Sequence, residues 1–535
     1  MPGHDRNWHR VTDHRSGPGA HAGGGIATGV LISVMIVVAA VLTRSGLMSA
    51  PPEFDELYHY LAALGWLETG ELRILDGSYT RAAAYTLTVA RFLDLTGQDS
   101  LAAARVISLL PGLALPLALF WWLRGRAGGL VAGIATGFAV LWPQGILESQ
   151  MLRFYSLHVL LFFAGAVAVY AVASGQGRAR WGWAIAALVL LGAATLLQVT
   201  TVVACGGLAI WLAGRAFVTA NPDRRWAWGL GGAVLILAAL ALLWPTGVLE
   251  KAWALYRFSP GNAVATRDYA AFYHNGLRKV YETFWPLFPV AVLLALRVNA
   301  RLTWFCVAIF GTVFVVQSFG AMKADRYISG AMPFFFAVWG LAGAEILQMA
   351  RRRLPVSQVM TASILAGCIG FMLASNGFVV SSIKLAAGGG YDTKFRPDFS
   401  GLTELLKPWR DVPFLATTNE LHMVAELGDY DVDLRRSAGW EAEFDPAALF
   451  GRDPRTGRFA LRGEEGMVRL LACVRAGVLV SVDEIWKGNR IGGAFRSAAA
   501  AQGIALQVRS AGALVAVRWD EAEPRTPQCD GVPEF

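Results

Sequence analysis

The stretch Ile26–Leu42, IATGVLISVMIVVAAVL, carries no charge, and the chain beyond it turns to PPEFDELYHY at Pro51–Tyr60. An apolar segment of about 17–25 residues crosses the bilayer hydrocarbon as a helix. This run exceeds the ~7–15-residue core of a secretory signal and lacks a small-residue cleavage site, so it reads as a retained first span. Working outward, comparable runs recur at Val106–Leu123, Leu130–Trp142, Leu157–Val172, Trp183–Leu197, Val199–Leu212, Trp228–Leu243, Trp285–Leu296, Leu302–Phe319, Met332–Leu347 and Val359–Val379. They predict an all-α polytopic membrane bundle of about 11 transmembrane helices.

Composition agrees with that class. Hydrophobic residues fill 55% of 535 positions, charged residues only 16%, and the mean hydropathy is +0.45. A soluble domain carries roughly a quarter charged residues. The net charge of +8 would suit nucleic acid, but its placement argues against such a partner. Basic residues cluster in short connectors at Arg124/Arg126, Arg178/Arg180, Arg215/Arg224/Arg225, Arg297/Arg301 and Arg351–Arg353. With the tail 1–25 (Arg6, Arg10, Arg15) inside, every connector falls on the cytoplasmic face of the inner membrane. That parity requires Trp183–Leu212 to be two spans turning near Gln198. It also sends the C-terminus outside the cytoplasm.

The outward segments differ in kind. The first outer loop, 45–105, is too long for a connector. Its stretches Leu57–Leu67 and Ala83–Leu95 have the periodicity of amphipathic helices and are expected on the membrane surface. A second outer loop spans about Pro245–Phe284. From Lys384 the composition turns globular, dividing the chain into a membrane domain, 26–383, and a soluble extracytoplasmic domain, 384–535. In the latter, short apolar runs (Pro413–Ala416, Val478–Val482, Leu514–Val517) alternate with helical patterns (Leu402–Trp409, Glu420–Leu427, Glu465–Val474, Ala494–Ala501). Such alternation predicts an α/β domain. The five cysteines form no CxxC pair and no metal-ligand spacing. Cys473 and Cys529 lie where oxidation is permitted, and a disulfide between them is expected.

Three outer constellations carry candidate chemistry. In Pro51–Tyr60, Asp55, Tyr58 and His59 share a helix face at i, i+3 and i+4, with Glu56 beside them. A carboxylate and an imidazole at the bilayer edge suit acid–base work. The plainer reading is a helix N-terminus whose acids complement the dipole. Glu148 lies in a short outer turn ahead of Arg153 and Tyr155. An acid near membrane depth is costly unless paired, so it is either functional or neutralised by Arg153. The third is Lys323-Ala324-Asp325-Arg326-Tyr327-Ile328, whose two cations suit a lipid phosphate or, more plainly, snorkel to ordinary headgroups.

The order of these elements carries a resemblance. The first-loop acids, then Gly77-Ser78-Tyr79, then LAAARVISLLP at Leu101–Pro111, the RGRAGG connector, ESQMLRFYSL at Glu148–Leu157 and KADRYI ahead of Pro333 resemble the GT-C membrane glycosyltransferases. The nearest branch is glycosyltransferase family 39, with the protein O-mannosyltransferases and lipid A aminoarabinose transferases as relatives. The likeness covers roughly Ile26–Leu347. It implies a polyprenyl-phosphate sugar donor and an extracytoplasmic lipid, polysaccharide or protein acceptor. It assigns catalysis to Asp55 with Glu56 beside it, a second acid role to Glu148, and donor phosphate binding to Lys323 and Arg326. His59, Tyr58, Tyr79, Arg81, Arg153, Tyr155 and Tyr327 are the substrate-binding candidates around them. Some relatives use a divalent cation, for which this chain has no sharp ligand motif. One departure is Tyr79-Thr80-Arg81-Ala82-Ala83, where many relatives carry a Lys-Pro-Pro-like stretch. A glycolipid transporter or flippase would show charged spans and related halves, which are not evident. A non-catalytic envelope assembly factor remains the other alternative.

Overall fold

The computed structural model describes residues 22–175, 178–219, 270–320, 323–353, 376–391, 396–434, 448–461 and 463–520, with single positions between and beyond them. Most of the tail 1–25, the run Trp228–Leu243, most of Val359–Val379 and much of the second outer loop lie outside the described residues.

The chain is an integral multi-pass membrane protein. Among the described residues, six helices are long and apolar enough to span: Leu101–Ala127, Tyr155–Ser174, Ala179–Leu197, Thr201–Val218, Phe288–Phe319 and Ser329–Arg352. A seventh results if Gly129–Val140 and Pro143–Ser149, bent by 62°, form one broken span. The expected count of about eleven is not confirmed, since the run Trp228–Leu243 and most of Val359–Val379 lie outside the described residues. Trp183–Leu212 does divide, with Gln198 extended between the helices Ala179–Leu197 and Thr201–Thr219. The helix Phe288–Phe319 is broken at Asn299, where φ is −154° and ψ 88°. Asn299 Oδ1 accepts from the Leu302 backbone N–H there, restarting the helix at the basic connector the sequence marks.

The bundle packs around Ser329–Arg352, 72% of whose apolar window is buried, while Ala179–Leu197 is only 11% buried and faces outward. Aromatic rings fill the centre: Phe334 lies within 6.4 Å of Trp122, Phe162, Phe163 and Phe305, mostly edge-to-face. Such contacts add to the burial of large apolar area.

After the first helix, α1 (Ala22–Arg44), the first loop forms helices α2, Phe54–Thr69, and α3, Ala83–Thr96, with a two-stranded hairpin of β1, Arg73–Ile74, and β2, Gly77–Ser78, between them. The expectation that both helices lie on the membrane surface is overturned for α2. Its apolar face (Leu57, Tyr58, Leu61, Ala62) packs on Ile74, Tyr79 and Leu421, the last from the C-terminal region. Protein, rather than lipid headgroups, takes up this face.

That region contains a seven-stranded sheet of order β5-β6-β4-β3-β7-β9-β8: Leu415–Thr417 (β3), Val432–Asp433 (β4), Phe450–Arg452 (β5), Phe459–Leu461 (β6), Ala476–Val482 (β7), Leu506–Ala511 (β8) and Leu514–Asp520 (β9). Strands β6, β4, β3 and β7 run parallel and the others antiparallel. Alternate residues of β7 and β9 enter two cores: Leu479, Val515 and Val517 join Phe495 and Trp519, while Val478, Val480 and Ala516 join Leu402 and Trp409. The period of two covers both faces of the sheet, the layered α/β arrangement expected from the sequence. Cys473 and Cys529 are bonded, tying the C-terminal tail to this domain.

The sheet domain grips the first loop. Arg455 donates to the Tyr58 hydroxyl at 2.7 Å and lies 4.9 Å over its ring. Arg458 bridges Asp76 and Asp429. Gly77 meets the Arg455–Thr456 backbone so closely that a Cβ would sit 2.2 Å from the Arg455 carbonyl carbon. Glycine is required there by close approach.

Candidate active site

The acids of Pro51–Tyr60 divide into inner and outer groups. Glu56 is fully buried. Its oxygens accept from Arg105 Nε at 2.8 Å and Nη2 at 2.9 Å, from the Leu152 N–H at 2.8 Å and from the Glu53 N–H at 3.0 Å. Arg396 Nη2 stands 3.6 Å away. Arg105 also donates to the carbonyls of Leu47, Met48 and Ala50, gathering the exit of the first helix. Glu56 thus joins the first span, α2, the Leu152 segment and the C-terminal region. With its lone pairs directed at these donors, it does not have the placement of a second catalytic acid.

Asp55 is the outer acid, with about a third of its side chain exposed, and Arg153 Nη1 lies 2.5 Å from Oδ2. Arg153 is buried and donates through Nη2 to the Tyr155 hydroxyl at 3.0 Å. Arg326 lies 5.5 Å from the Tyr155 ring and 5.6 Å from that of Tyr327, and Arg81 lies 5.8 Å from the ring of Phe154. Three arginines that are distant in sequence therefore converge on Phe154–Tyr155 beside Asp55. Nε of Arg153 and Nε of Arg326 are both buried without a hydrogen-bond partner among the described residues. Buried donors are normally satisfied, so these two N–H groups stand out as free donors in this cluster among the described residues.

Glu53 was not singled out in the sequence. Its Oε2 is buried and without a partner among the described residues. Burial raises its pKa, and Glu56 adds to the rise, against the opposing pull of Arg153, Arg326 and Arg396. Its position two residues before Asp55 was visible, but its inward direction depends on the extended backbone at the helix cap.

Several candidates lie behind the site. His59 is fully buried, with Nδ1 2.8 Å from the Thr86 hydroxyl and its ring edge-on to Tyr79, Tyr85 and Phe154. Burial, with Arg81 nearby, lowers its pKa to about 3. A neutral imidazole in this cage is not the acid–base partner that its spacing from Asp55 suggested. Tyr58 and Tyr79 are buried and stacked at 4.8 Å. Lys323 is also buried and donates to the Gly320 carbonyl. A lysine held in this way does not match the expected headgroup or phosphate contact, a role better suited to Arg326.

Glu148 sits on the shorter arm of the bent pair, the helix Pro143–Ser149, rather than in a turn. Oε1 accepts from the Ser329 hydroxyl at 2.6 Å and from Gln144 Nε2 at 2.9 Å, while Oε2 is buried and unpartnered among the described residues. The local pair with Arg153 does not form, because Arg153 turns to Asp55. Gln144 and Ser329 also line a cavity of about 290 Å³ with Tyr273, Lys279 and Asp325. That lies near the lower end of the ~300–1,000 Å³ usual for small-molecule sites. No group of three or more His, Cys, Asp or Glu side chains among the described residues is placed to hold a metal ion. The outer acids do not fit a divalent cation, since Asp55 is opposed by Arg153 and the adjoining cluster is arginine-rich.

The apolar bundle, the helical first outer loop and the α/β domain packed on it give the chain the GT-C fold. Among solved structures, the chain is similar to ArnT from Cupriavidus metallidurans in the apo state, with TM-score 0.57 and 14% identity over 92% of this chain and 98% of that one. ArnT bound to undecaprenyl phosphate gives TM-score 0.55 and 15% identity over 95% and 100% of the two chains. The archaeal oligosaccharyltransferase AglB from Archaeoglobus fulgidus, in complex with an inhibitory peptide and a dolichol-phosphate, gives 0.57 and 10% over 94% of this chain and 75% of that one. No protein-family model matches the sequence, and no curated protein matches it significantly.

Proposed function

We propose that this protein is an inverting glycosyltransferase, which moves a sugar from a polyprenyl-phosphate carrier to a hydroxyl-bearing lipid, glycan or protein outside the cytoplasm. The observation that carries this reading is the partly exposed Asp55 carboxylate beside buried Arg153 and half-buried Arg326, whose Nε–H groups have no partner among the described residues. The undecaprenyl phosphate and dolichol-phosphate bound by structures of the same fold support a lipid phosphate as the anion.

In this mechanism Asp55 accepts the acceptor's hydroxyl proton as the oxygen attacks the anomeric carbon. The bond from that carbon to the phosphate oxygen breaks, and the carrier phosphate leaves with the electron pair. Arg153 and Arg326 stabilise the charge gained by the leaving phosphate, the kind of fixed electrostatic term that dominates many enzymes. Arg153 also orients Asp55 through Oδ2. Tyr155, Tyr327 and Arg81 flank these groups, and Glu148 positions the acceptor through Gln144 and Ser329, which line the adjoining cavity. Glu56, Tyr58, His59, Tyr79 and Lys323 support these groups from behind.

Comparing cell-envelope glycans by mass spectrometry with and without the gene tests the reading. Loss of one glycose from one molecule identifies sugar and acceptor together. An unchanged envelope, with no carrier phosphate released by purified protein from any polyprenyl-phosphate sugar, rejects it.

A further inference from the structure

A second group of arginines lies far from this chemistry. The helix Tyr155–Ser174 begins in the arginine cluster and runs about 30 Å to Ser174, at 1.5 Å per residue. That length matches the hydrocarbon thickness, so Ser174 belongs to the opposite leaflet. There the Ser174 hydroxyl accepts from Arg301 Nη2. The guanidinium groups of Arg301 and Arg126 lie 5.1 and 5.4 Å from the ring of Tyr170. Tyr170 stacks on Trp211 at 5.4 Å, and Arg215 lies 5.9 Å from the Trp211 ring. Among the described residues, no carboxylate pairs with Arg126 or Arg301. Three like charges therefore gather about two stacked rings.

Beside them an apolar groove of about 580 Å³ runs between the helices Thr201–Thr219 and Phe288–Phe319. Ile210, Val218, Trp304 and Ala308 line it, and Arg215 and Arg301 complete the wall. Ile210, Val218 and Trp304 are exposed, as lipid-facing side chains are. Apolar walls that meet a cluster of arginines at leaflet depth match one chemistry on both counts: acyl chains ending in a negative headgroup. Basic pockets between membrane helices bind anionic headgroups in this way. Topology alone would require positive charge near this leaflet, but not two guanidinium groups on one ring beside a groove.

We propose that this groove binds an anionic phospholipid of the bilayer, with its chains against Ile210 and Trp304 and its headgroup against Arg126, Arg215 and Arg301. The site is independent of the proposed sugar transfer and lies one membrane thickness away from it.

The full-length protein, delipidated in detergent, is mixed with phosphatidylglycerol or phosphatidylcholine of identical chains, and retained lipid is counted by native mass spectrometry. Wild type should retain phosphatidylglycerol in preference to phosphatidylcholine, a comparison that needs no variant. Arg126→Gln and Arg301→Gln should each lower that retention roughly fivefold, as expected for one lost cation near an anionic headgroup. Arg301→Lys should preserve most of it, which separates charge from folding. Equal retention of the two lipids by wild type overturns the proposal. So does an undiminished preference in the Arg126→Gln/Arg301→Gln double variant. Displacement of phosphatidylglycerol by equimolar polyprenyl phosphate would assign the groove to the carrier and also overturn it.

Discussion

Arg105 grips Glu56 with two nitrogens, Nε at 2.8 Å and Nη2 at 2.9 Å, across the junction of the first helix, α2 and the helix Val106–Ala127. Both side chains are buried, so removing one leaves the other charge without compensation. Breaking such a pair typically costs about 3–5 kcal/mol. Glu56→Ala should therefore reduce folded yield and resistance to denaturant, with activity falling only as the folded fraction falls. A stable, fully folded Glu56→Ala protein that transfers no sugar would place Glu56 in the chemistry instead.

Arg326 and Lys323 should separate in donor titrations. Arg326 has a buried Nε–H without a partner among the described residues, whereas Lys323 donates inward to Gly320. A hydrogen bond to a charged group contributes about 1.5–3 kcal/mol. Arg326→Gln should accordingly raise the apparent KM for a polyprenyl-phosphate sugar by roughly ten- to a hundredfold. Lys323→Gln should act on stability with little change in that KM. The reverse pattern would return the phosphate to Lys323.

Acid should loosen the first loop through His59. Burial first, and Arg81 second, lower its pKa from 6.5 to about 3, so the folded protein keeps the imidazole neutral while the unfolded chain protonates below about 6.5. Its contribution is present above pH 6.5 and is lost progressively as pH falls toward 3. Between pH 7 and pH 5 this amounts to about 2 kcal/mol. Urea denaturation at the two pH values should show a smaller loss in His59→Leu than in wild type. Identical losses would mean that the ring is solvated in the folded protein.

The Cys473–Cys529 bond closes a loop with a sequence separation of 56. Chain-entropy arguments give about 4 kcal/mol for a loop of that size. Both thiols should resist alkylation in oxidised protein, and reduction should lower the unfolding midpoint of the sheet domain. Two reactive thiols before reduction would contradict the pairing.

Much of this arrangement was legible in the sequence, because periodicity is local. The first-loop helices, the division at Gln198 and the main strands of the sheet follow from runs of apolar residues. Contacts between distant segments were not legible. Nothing near Glu148 shows that Arg153 will turn to Asp55, or that Ser329 will reach Glu148. The i, i+4 spacing of Asp55 and His59 is a correct helical fact, yet burial sends His59 into an aromatic cage. Arg105 had a usable signal, a cation inside LAAARVISLLP at the start of a span, where charge is costly unless paired. Arg396 had none, since its partner lies more than three hundred residues away.

The central claim is that Asp55 takes a proton in sugar transfer. Asp55→Asn keeps the size of the side chain and much of its capping ability while removing the charge that faces Arg153. Loss of a general base lowers a rate by about 10²–10⁴-fold, whereas loss of an exposed helix-start carboxylate costs about 1 kcal/mol of stability. The direct measurement is single-turnover release of carrier phosphate by purified wild type and Asp55→Asn, with a defined polyprenyl-phosphate sugar and its acceptor. The account predicts a protein that inserts, purifies and binds donor normally, but turns over at least about a hundredfold more slowly. Near-normal turnover by Asp55→Asn would contradict it.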